Sequence, residues 1–262
     1  MCPKISIITV TYNSAKTVEE TILSILRQKY PNLEYIIVDG ASKDNTLEII
    51  NRYKEHITTI ISEPDNGISD AFNKGVKIAS GDLIGLINSD DVMVSGALQI
   101  VADAYDPAYD VYRGHTILWD DINGTKLSMK PSMSYGVNCK WNGSVNHPST
   151  FISKRAYNIC GFYNTDYRYS MDIDMLYRLY NQGLKAKYIN KDLVLFRIGG
   201  ETSSLWAKKI KERYKIVRSN GGSYLLCVRR LGLFALKQSM MQMFCIIFPQ
   251  NMLYKIKYRK SM

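Results

Sequence analysis

Two adjacent aspartates follow an apolar segment in the stretch DLIGLINSDDV, which begins at Asp82. The segment 83–87 has the composition of a buried strand, so Asp90 and Asp91 are expected at the mouth of a hydrophobic core. Carboxylate oxygens suit Mg²⁺ and Mn²⁺, and these ions are commonly shared with the phosphates of a substrate. The pair therefore favours a divalent-cation site that serves a phosphate-bearing ligand.

Polar residues also follow the other strand-like segments of the first half. Ligands of open α/β sheets bind at the carboxyl ends of the strands, so these residues would share one edge. Asp and Asn are also ordinary cap and turn residues, and that explanation suffices for any one of them. Their occurrence at four successive strand ends favours a binding site. The residues are Thr11, Tyr12, Asn13, Asp39, 63–67 (EPDNG) and, before the aspartate pair, Asn88.

The first turn of the chain lacks the glycines of the familiar nucleotide motifs. Residues 11–17 (TYNSAKT) contain no glycine and cannot offer the close backbone approach to a diphosphate that G-x-G-x-x-G supplies. A nucleotidyltransferase, one alternative function, normally has a glycine- and Arg/Lys-rich loop near the N-terminus, and this turn offers only Lys16. A cation held by carboxylates is another way to meet the phosphate charge.

The elements that would position these residues alternate along the first hundred positions. Apolar segments rich in β-branched residues predict strands at 5–11, 33–38, 57–62 and 83–87. Apolar residues at helical spacing predict a helix after each strand, the first opened by a capping box at 17–20 (TVEE). This alternation predicts βαβ units in an open, Rossmann-like α/β fold, with a mostly parallel sheet and helices on both faces.

The pattern changes after Asp106. Asn123-Gly124 predicts a hairpin between 110–119 and 125–130, and the polar stretch 132–149 predicts a long loop. A helix over 173–181 closed by Gly183 and two short strands, 186–189 and 193–198, are expected next. We expect a main domain of residues 1–204, with a nucleotide-binding half 1–106 and an acceptor half 107–204. A basic, amphipathic helical extension, 205–262, follows it.

Composition and charge narrow the class of protein. The 262 residues are 46% hydrophobic and 22% charged, as in ordinary globular proteins. The formal net charge of +10 is concentrated in 205–262, which carries 13 Lys or Arg and one acid, Glu212. Five scattered cysteines without a C-x-x-C pair argue against a disulfide framework or a zinc site and for a reducing compartment. With no leader pattern at the start, a cytoplasmic location is expected.

Several segments, in this order and spacing, resemble family 2 glycosyltransferases, which have the GT-A nucleotide-sugar fold. They include ISIITVTYNSAKT, IIVDGASKDNT, EPDNGISDAFNKG, INSDDV, NHPSTF, SMDIDML and FRIGG, and together they cover roughly residues 4–204. The resemblance implies an inverting, metal-dependent hexosyltransferase that moves a sugar from a nucleotide-sugar, expected to be a UDP-sugar. The acceptor would be a hydroxyl of a saccharide or lipid-linked glycan in cell-surface polysaccharide synthesis.

The resemblance also implies roles on the donor side. Asp90 falls on the metal-ligand position of the family's D-x-D-D motif. Asp91 follows it and is expected to contact the nucleotide-sugar. Asn88 stands where the first aspartate is often found, and its amide would hydrogen-bond the ribose without adding negative charge to the metal. The metal would be Mg²⁺ or Mn²⁺. Thr11, Tyr12, Asn13 and Asp39 match positions that line the nucleotide pocket, and Asn73 lies in the FNKG motif after Phe72, where many relatives have arginine.

On the acceptor side the resemblance concerns the SMDIDML motif. Glycosyl transfer to a hydroxyl needs a base that removes the acceptor's proton, and the resemblance implies Asp172 for this role. Capping and dipole compensation at a helix start explain the same pattern without catalysis. Asp174, two residues further along the helix, points to another side and is expected to orient the loop or the acceptor.

Three further residues are candidates for the acceptor side or a closing loop. His147 precedes Pro148, and its ordinary alternative is a structural hydrogen-bonding role. Arg197 precedes Gly199-Gly200 and resembles the family's last motif, which closes over the diphosphate; a surface salt bridge is its alternative. Trp141, in the polar loop, suits stacking on a sugar or anchoring a core.

The basic extension has no uncharged run that would span a bilayer, because Gln242, Pro249 and Asn251 interrupt the stretch 238–254. A basic amphipathic segment favours peripheral contact with an anionic membrane surface, here the inner face of the plasma membrane. Packing on the core or on a second copy in a homodimer is the alternative. No nucleic-acid reader motif accompanies the charge. A catalytically silent sugar-nucleotide-binding or membrane scaffold protein with the same fold stays open as the alternative function.

Overall fold

The computed structural model describes residues 2–131, 146–198, 206–225, 227–229, 232, 233 and 236. These ranges form one nine-stranded sheet with helices on both faces. The strands are β1 (Ile5–Thr11), β2 (Leu33–Asp39), β3 (Thr59–Ser62), β4 (Leu83–Asn88), β5 (Val92–Met93), β6 (Val111–Asp120), β7 (Thr125–Met129), β8 (Thr150–Ser153) and β9 (Ala186–Arg197). The helices are α1 (Val18–Leu26), α2 (Thr46–Asn51), α3 (Ile68–Ile78), α4 (Ala97–Asp103), α5 (Lys154–Cys160), α6 (Met171–Asn181) and α7 (Trp206–Ser219).

The order of the strands in the sheet is β3-β2-β1-β4-β8-β6-β9-β5, and β7 pairs with β6. Strands β1 to β4 are mutually parallel, as their two-sided apolar composition predicts. Thr11 lies opposite Asp39 in the β1–β2 pairing, and Val10 lies opposite Asn88 in the β1–β4 pairing. The polar strand ends therefore meet at one edge of the sheet.

Alternate residues of the central strands face two separate cores. Ile5 and Ile7 of β1 belong to a buried cluster with α1, α2 and α4, whereas Ile8 and Val10 belong to one with α3, α5, α6 and α7. The two-residue period of a strand thus places one set of helices on each face. The prediction of an α/β sheet covered on both sides is confirmed.

Strand β9 corrects the prediction of two short strands at 186–189 and 193–198. The chain runs as a single strand, Ala186–Arg197, and the polar break is absorbed by register shifts in its pairing with β6 around His115. Gly114 permits this shift, because a Cβ there would lie 2.3 Å from Cδ1 of Leu193. Because Gly114 has no side chain, the register shift fits within the strand pair without a turn.

The predicted capping box is also wrong. The side chain of Thr17 makes no cap hydrogen bond at the start of α1. The carboxylate of Glu20, which would complete the box, instead accepts a hydrogen bond from Arg197 at 2.6 Å. A long-range ion pair takes the place of the local pattern.

Two strands and a helix were not expected from the sequence. β8 and α5 follow the end of the predicted loop, and Oγ of Ser153 accepts a hydrogen bond from the N–H of Ala156 at 3.0 Å, which caps α5. The short strand β5 pairs antiparallel with β9. Of the helices in the described ranges, none combines the length and hydropathy needed to cross a bilayer.

Candidate active site

The ends of β1 and β2 form a polar pocket around Asp39. This carboxylate is fully buried and accepts hydrogen bonds from the N–H of Ser42 at 3.0 Å and from Oγ of Ser62 at 2.7 Å. Oγ1 of the neighbouring Thr11 is buried and has no hydrogen-bond partner. Because buried polar atoms are normally satisfied, a water molecule or a polar group of a ligand would complete the hydrogen bonding of this hydroxyl.

The loop after β1 shapes the mouth of this pocket. Tyr12 leaves 59% of its surface exposed. Asn13 adopts a positive φ of 49°, and its Oδ1 accepts a hydrogen bond from the N–H of Lys43 at 2.8 Å. Asn13 therefore holds the opposite loop in place, while the Tyr12 ring packs on one side and is exposed on the other.

Asp65 is a residue of this pocket that the sequence pattern indicated only as part of the stretch 63–67. A Cβ on Gly40 would lie 2.4 Å from Oδ2 of Asp65 and 3.4 Å from Cδ2 of Tyr12, so both side chains close over the glycine. The signal was available in the EPDNG stretch at the end of β3. The position of Asp65 near Gly40 depends on the pairing of β3 beside β2, which the stretch alone does not reveal.

The loop after β4 carries the acidic pair. Asp91 is fully buried, and Nδ2 of Asn88 donates a hydrogen bond to its Oδ2 at 3.0 Å. Oδ1 of Asn88 and Oδ1 of Asp91 are both buried without a partner. Burial raises the pKa of Asp90, and burial together with the charge of Asp90 raises the pKa of Asp91 well above its usual value.

These oxygens fit a hard divalent cation. Within the described ranges there is no cluster of three or more His, Cys, Asp or Glu side chains that would form a complete metal cage. A cation shared with a diphosphate needs fewer protein ligands, because phosphate oxygens and water complete its shell. Burial is the main cause of the raised pKa values of Asp90 and Asp91, and the charge of Arg197 lowers the pKa of Asp90 without offsetting it. The donor set of Asn88, Asp90 and Asp91 suits Mg²⁺ or Mn²⁺.

Arg197 supports the acidic loop from behind. Its Nε donates a hydrogen bond to the backbone carbonyl of Asp90 at 3.2 Å, and its two terminal nitrogens bind Glu20 and Asp121. The guanidinium lies 4.3 Å from the centre of the Trp119 ring. The charge of Arg197 is thus engaged by two carboxylates rather than directed at a ligand. Gly199-Gly200 lies outside the described residues.

Asp172 lies at the start of α6, close to His147. The charge of Asp172 acts to raise the pKa of His147, but burial is the larger effect and lowers it. The imidazole packs on Phe72 at 5.3 Å between ring centres and on Tyr163 at 6.0 Å. Because β8 runs antiparallel to β4, the turn 147–149 that precedes β8 lies beside the carboxyl end of β4. His147 and Asp172 therefore stand at the same edge as the acidic loop.

Two other predicted residues are occupied by internal hydrogen bonds. The amide of Asn73 donates to the carbonyl of Tyr163 at 2.8 Å and accepts from its N–H at 2.8 Å. Oδ2 of Asp174 accepts from Nε of Arg178 at 2.8 Å, and the same guanidinium donates to the carbonyls of Cys160 and Phe162. Asn73 therefore holds Tyr163 directly, and Asp174 holds Cys160 and Phe162 through Arg178.

Three predicted features therefore join at one edge, namely the Asp39 pocket, the acidic loop and the His147–Asp172 pair. Asn73 and Asp174 stand one layer behind it, as does Arg197. Trp141, the candidate for stacking on a sugar, lies outside the described residues.

Comparison with known proteins places this arrangement in a family. The model described as Glycosyl transferase family 2 matches residues 6–162. WfaP of Escherichia coli, a UDP-Glc:α-D-GlcNAc-diphosphoundecaprenol β-1,3-glucosyltransferase, is 30% identical over an alignment of 213 residues that covers 79% of this chain and 82% of that protein.

Two solved structures share the fold. S. aureus TarS 1–349 in complex with UDP-GlcNAc has a TM-score of 0.65 at 18% identity, over 88% of this chain and 71% of that one. The mannosyltransferase PcManGT from Pyrobaculum calidifontis, in complex with GDP-Man and Mn²⁺, has a TM-score of 0.65 at 18% identity, over 88% and 69%. The fold is GT-A-like. The chain belongs to glycosyltransferase family 2.

Proposed function

We propose that this protein is an inverting, divalent-cation-dependent hexosyltransferase that uses a UDP-sugar and extends a cell-surface glycan. The observation that carries the proposal is the gathering of three unpartnered buried oxygens at one edge of the sheet. They belong to Thr11, Asn88 and Asp91, in a chain of a glycosyltransferase family. Such atoms are costly unless a ligand completes their hydrogen bonds or coordination.

The Asp39 pocket would bind the nucleoside. A buried carboxylate that is already held by two serines is a fixed acceptor, and uracil N3–H is a donor of the matching kind. Thr11 would complete the contact, and the exposed ring of Tyr12 would cover the base. TarS, which shares the fold, is seen with UDP-GlcNAc, whereas PcManGT is seen with GDP-Man, so both nucleotides belong in the test.

The acidic loop would meet the diphosphate. Asp90, Asp91 and Asn88 would hold Mg²⁺ or Mn²⁺, which when bound supplies positive charge for the leaving nucleoside diphosphate. Arg197 fixes the loop through the carbonyl of Asp90 and so maintains the spacing of the ligands.

Asp172 would act as the base. As the acceptor oxygen forms its bond to the anomeric carbon, the bond from that carbon to the diphosphate oxygen breaks, and the acceptor proton passes to the carboxylate. The lowered pKa of His147 keeps its imidazole neutral near pH 7, so no histidine cation neutralises Asp172. One displacement with one base inverts the anomeric configuration.

The acceptor would be a saccharide or a lipid-linked glycan. WfaP acts on a diphosphoundecaprenol-linked acceptor by its name. Helix α7 presents four exposed cations at helical spacing, and a basic face of this kind suits an anionic lipid surface. These cations are Lys208, Lys211, Lys215 and Arg218.

A panel of UDP- and GDP-sugars, titrated by calorimetry with and without Mn²⁺, tests the donor assignment. We expect a UDP-sugar to bind more tightly with the metal and to be hydrolysed slowly without an acceptor. Metal-independent binding, or a preference for GDP-sugars, would contradict the assignment. Tight binding without hydrolysis or transfer would favour the catalytically silent binding protein instead.

A further inference from the structure

The one acidic residue of the basic extension is hydrogen-bonded to the segment that precedes α6, the helix that carries Asp172. Glu212 is the single Asp or Glu among residues 205–262. Its Oε1 accepts a hydrogen bond from the N–H of Arg168 at 3.0 Å, and its Oε2 accepts one from the N–H of Tyr169 at 2.9 Å. One carboxylate therefore satisfies two consecutive backbone donors, and hydrogen bonds to a charged acceptor are stronger than neutral ones.

At the start of α6, Oδ1 of Asp172 accepts a hydrogen bond from the N–H of Ile173 at 2.8 Å, and the residue before the helix makes no such contact. Ser170 occupies the N-cap position, but its side chain makes no cap hydrogen bond, and its Oγ is buried without a partner. On the other side of the segment, Oγ of Ser69 donates to the carbonyl of Tyr167 at 2.9 Å. Residues 167–169 are thus held between α3 and α7, and Asp172 follows three residues after Tyr169.

Helix α7 is fixed firmly enough to act as a support. Ile216 and Val217 are buried in the same cluster as Leu176 and Leu179 of α6. The N–H of Gly222 donates to the carbonyl of Val217 at 2.8 Å and folds the chain back at the end of the helix. Glu212 therefore approaches the segment from a packed helix rather than from a free tail.

We infer that Glu212 is a positioning residue for Asp172. It sets the backbone before α6 through Arg168 and Tyr169 and thereby aims the carboxylate of Asp172 at the acceptor. The inference rests on the proposed role of Asp172 as the base. It makes α7 part of the catalytic apparatus, although the family match ends at residue 162.

Substitution of Glu212 by Gln tests this role. The amide has one oxygen, so it can accept from one of the two N–H groups while its NH₂ faces the other. We expect kcat to fall about 10-fold or more, as one misplaced catalytic group suffices for such a loss, while the Kd of UDP with Mn²⁺ stays within about twofold. Hydrogen exchange of the amides at 168–172 should accelerate. Glu212→Asp keeps both oxygens and should recover part of kcat.

Matched controls separate positioning from general damage. Glu48→Gln removes an exposed glutamate of α2 that pairs with Arg52 and should leave kcat and exchange unchanged. In an Asp172→Asn background, Glu212→Gln should cost nothing more, because its effect passes through Asp172. Unchanged kcat in Glu212→Gln, a parallel loss of UDP affinity, or a further loss in the double variant would overturn the inference. Full activity of Asp172→Asn alone would overturn the proposed base as well.

Discussion

At the scale of single residues, the site is defined by polar atoms that the protein leaves unsatisfied. The sequence placed Asp39, Asp90 and Asp172 at strand and helix ends, and the structure brings those ends to one edge. The partners of Asn73 and Arg197 could not be predicted, because they lie 90 and more than 70 positions away. Local patterns identify candidates for chemistry, whereas long-range packing decides which of them are already occupied.

The first prediction concerns the acidic loop. Asp90→Asn removes one negative charge from the cation site and should weaken Mn²⁺-dependent binding of UDP by about 10-fold or more, a typical loss for a metal ligand or its immediate support. The same titration without metal should change by less than twofold. Calorimetry with and without Mn²⁺ measures both. Equal weakening in the two titrations would show that Asp90 contacts the nucleotide rather than the metal.

At the scale of elements, the first half of the fold was predictable and the second only in part: the β6–β7 hairpin and α6 were expected, whereas β5, β8, α5 and the unbroken β9 were not. The strands β1, β2 and β4 are two-sided apolar segments, so their composition alone indicates buried parallel strands. β5 has two residues and is defined by its partner β9, and β9 itself crosses a polar break because Gly114 makes room for Leu193. Pairing partners, rather than local composition, define these elements.

The second prediction concerns Glu34, whose carboxylate in β2 accepts hydrogen bonds from neighbouring segments of the chain. Burial alone would raise the pKa of Glu34 in β2, but hydrogen bonds from Ser6, Ser80 and Lys4 lower it to about 2. A carboxyl whose pKa is lower in the folded state stabilises the fold above its ordinary value of 4.5, and this stabilisation is lost as the pH falls towards 2. Glu34→Gln should therefore lower the free energy of unfolding by about 2 kcal/mol at pH 7.

Urea denaturation at pH 7 and at pH 3 measures this difference. The gap between wild type and Glu34→Gln should shrink at the lower pH, because the wild-type carboxylate loses part of its advantage there. Glu48→Gln, an exposed i,i+4 pair with Arg52, is the control and should change stability by less than about 0.5 kcal/mol. A gap that is the same at both pH values would contradict the account of Glu34.

At the scale of the whole molecule, charge and catalysis are arranged on different parts of the same fold. The parallel half supplies the proposed nucleotide pocket and the acidic loop, and α6 supplies the proposed base. Helix α7 packs on α6 through Ile216 and Val217 and exposes lysines on its outer side. The change of composition near residue 204 reflects the charge of the outer surface, whereas buried contacts join α7 to α6.

The third prediction concerns this outer surface. Each Lys or Arg near an anionic membrane contributes about 1 kcal/mol, so Lys211→Gln with Lys215→Gln should weaken binding to phosphatidylserine vesicles by roughly 30-fold at low salt. Sedimentation with vesicles measures the binding. Lys29→Gln with Lys54→Gln, two exposed lysines outside α7, is the matched control. Equal losses in both pairs would indicate a general effect of net charge, and no loss in either would contradict membrane contact through α7.

The most direct test of the central claim is the turnover of Asp172→Asn on a working donor and acceptor pair. We expect kcat to fall by roughly 10²–10³, the cost of removing one catalytic group, while UDP binds with Mn²⁺ as it does to the wild type. The sugar in the wild-type product should have the opposite anomeric configuration to the donor. Full turnover by the Asp172→Asn variant would show that another group takes the acceptor proton and would contradict the account.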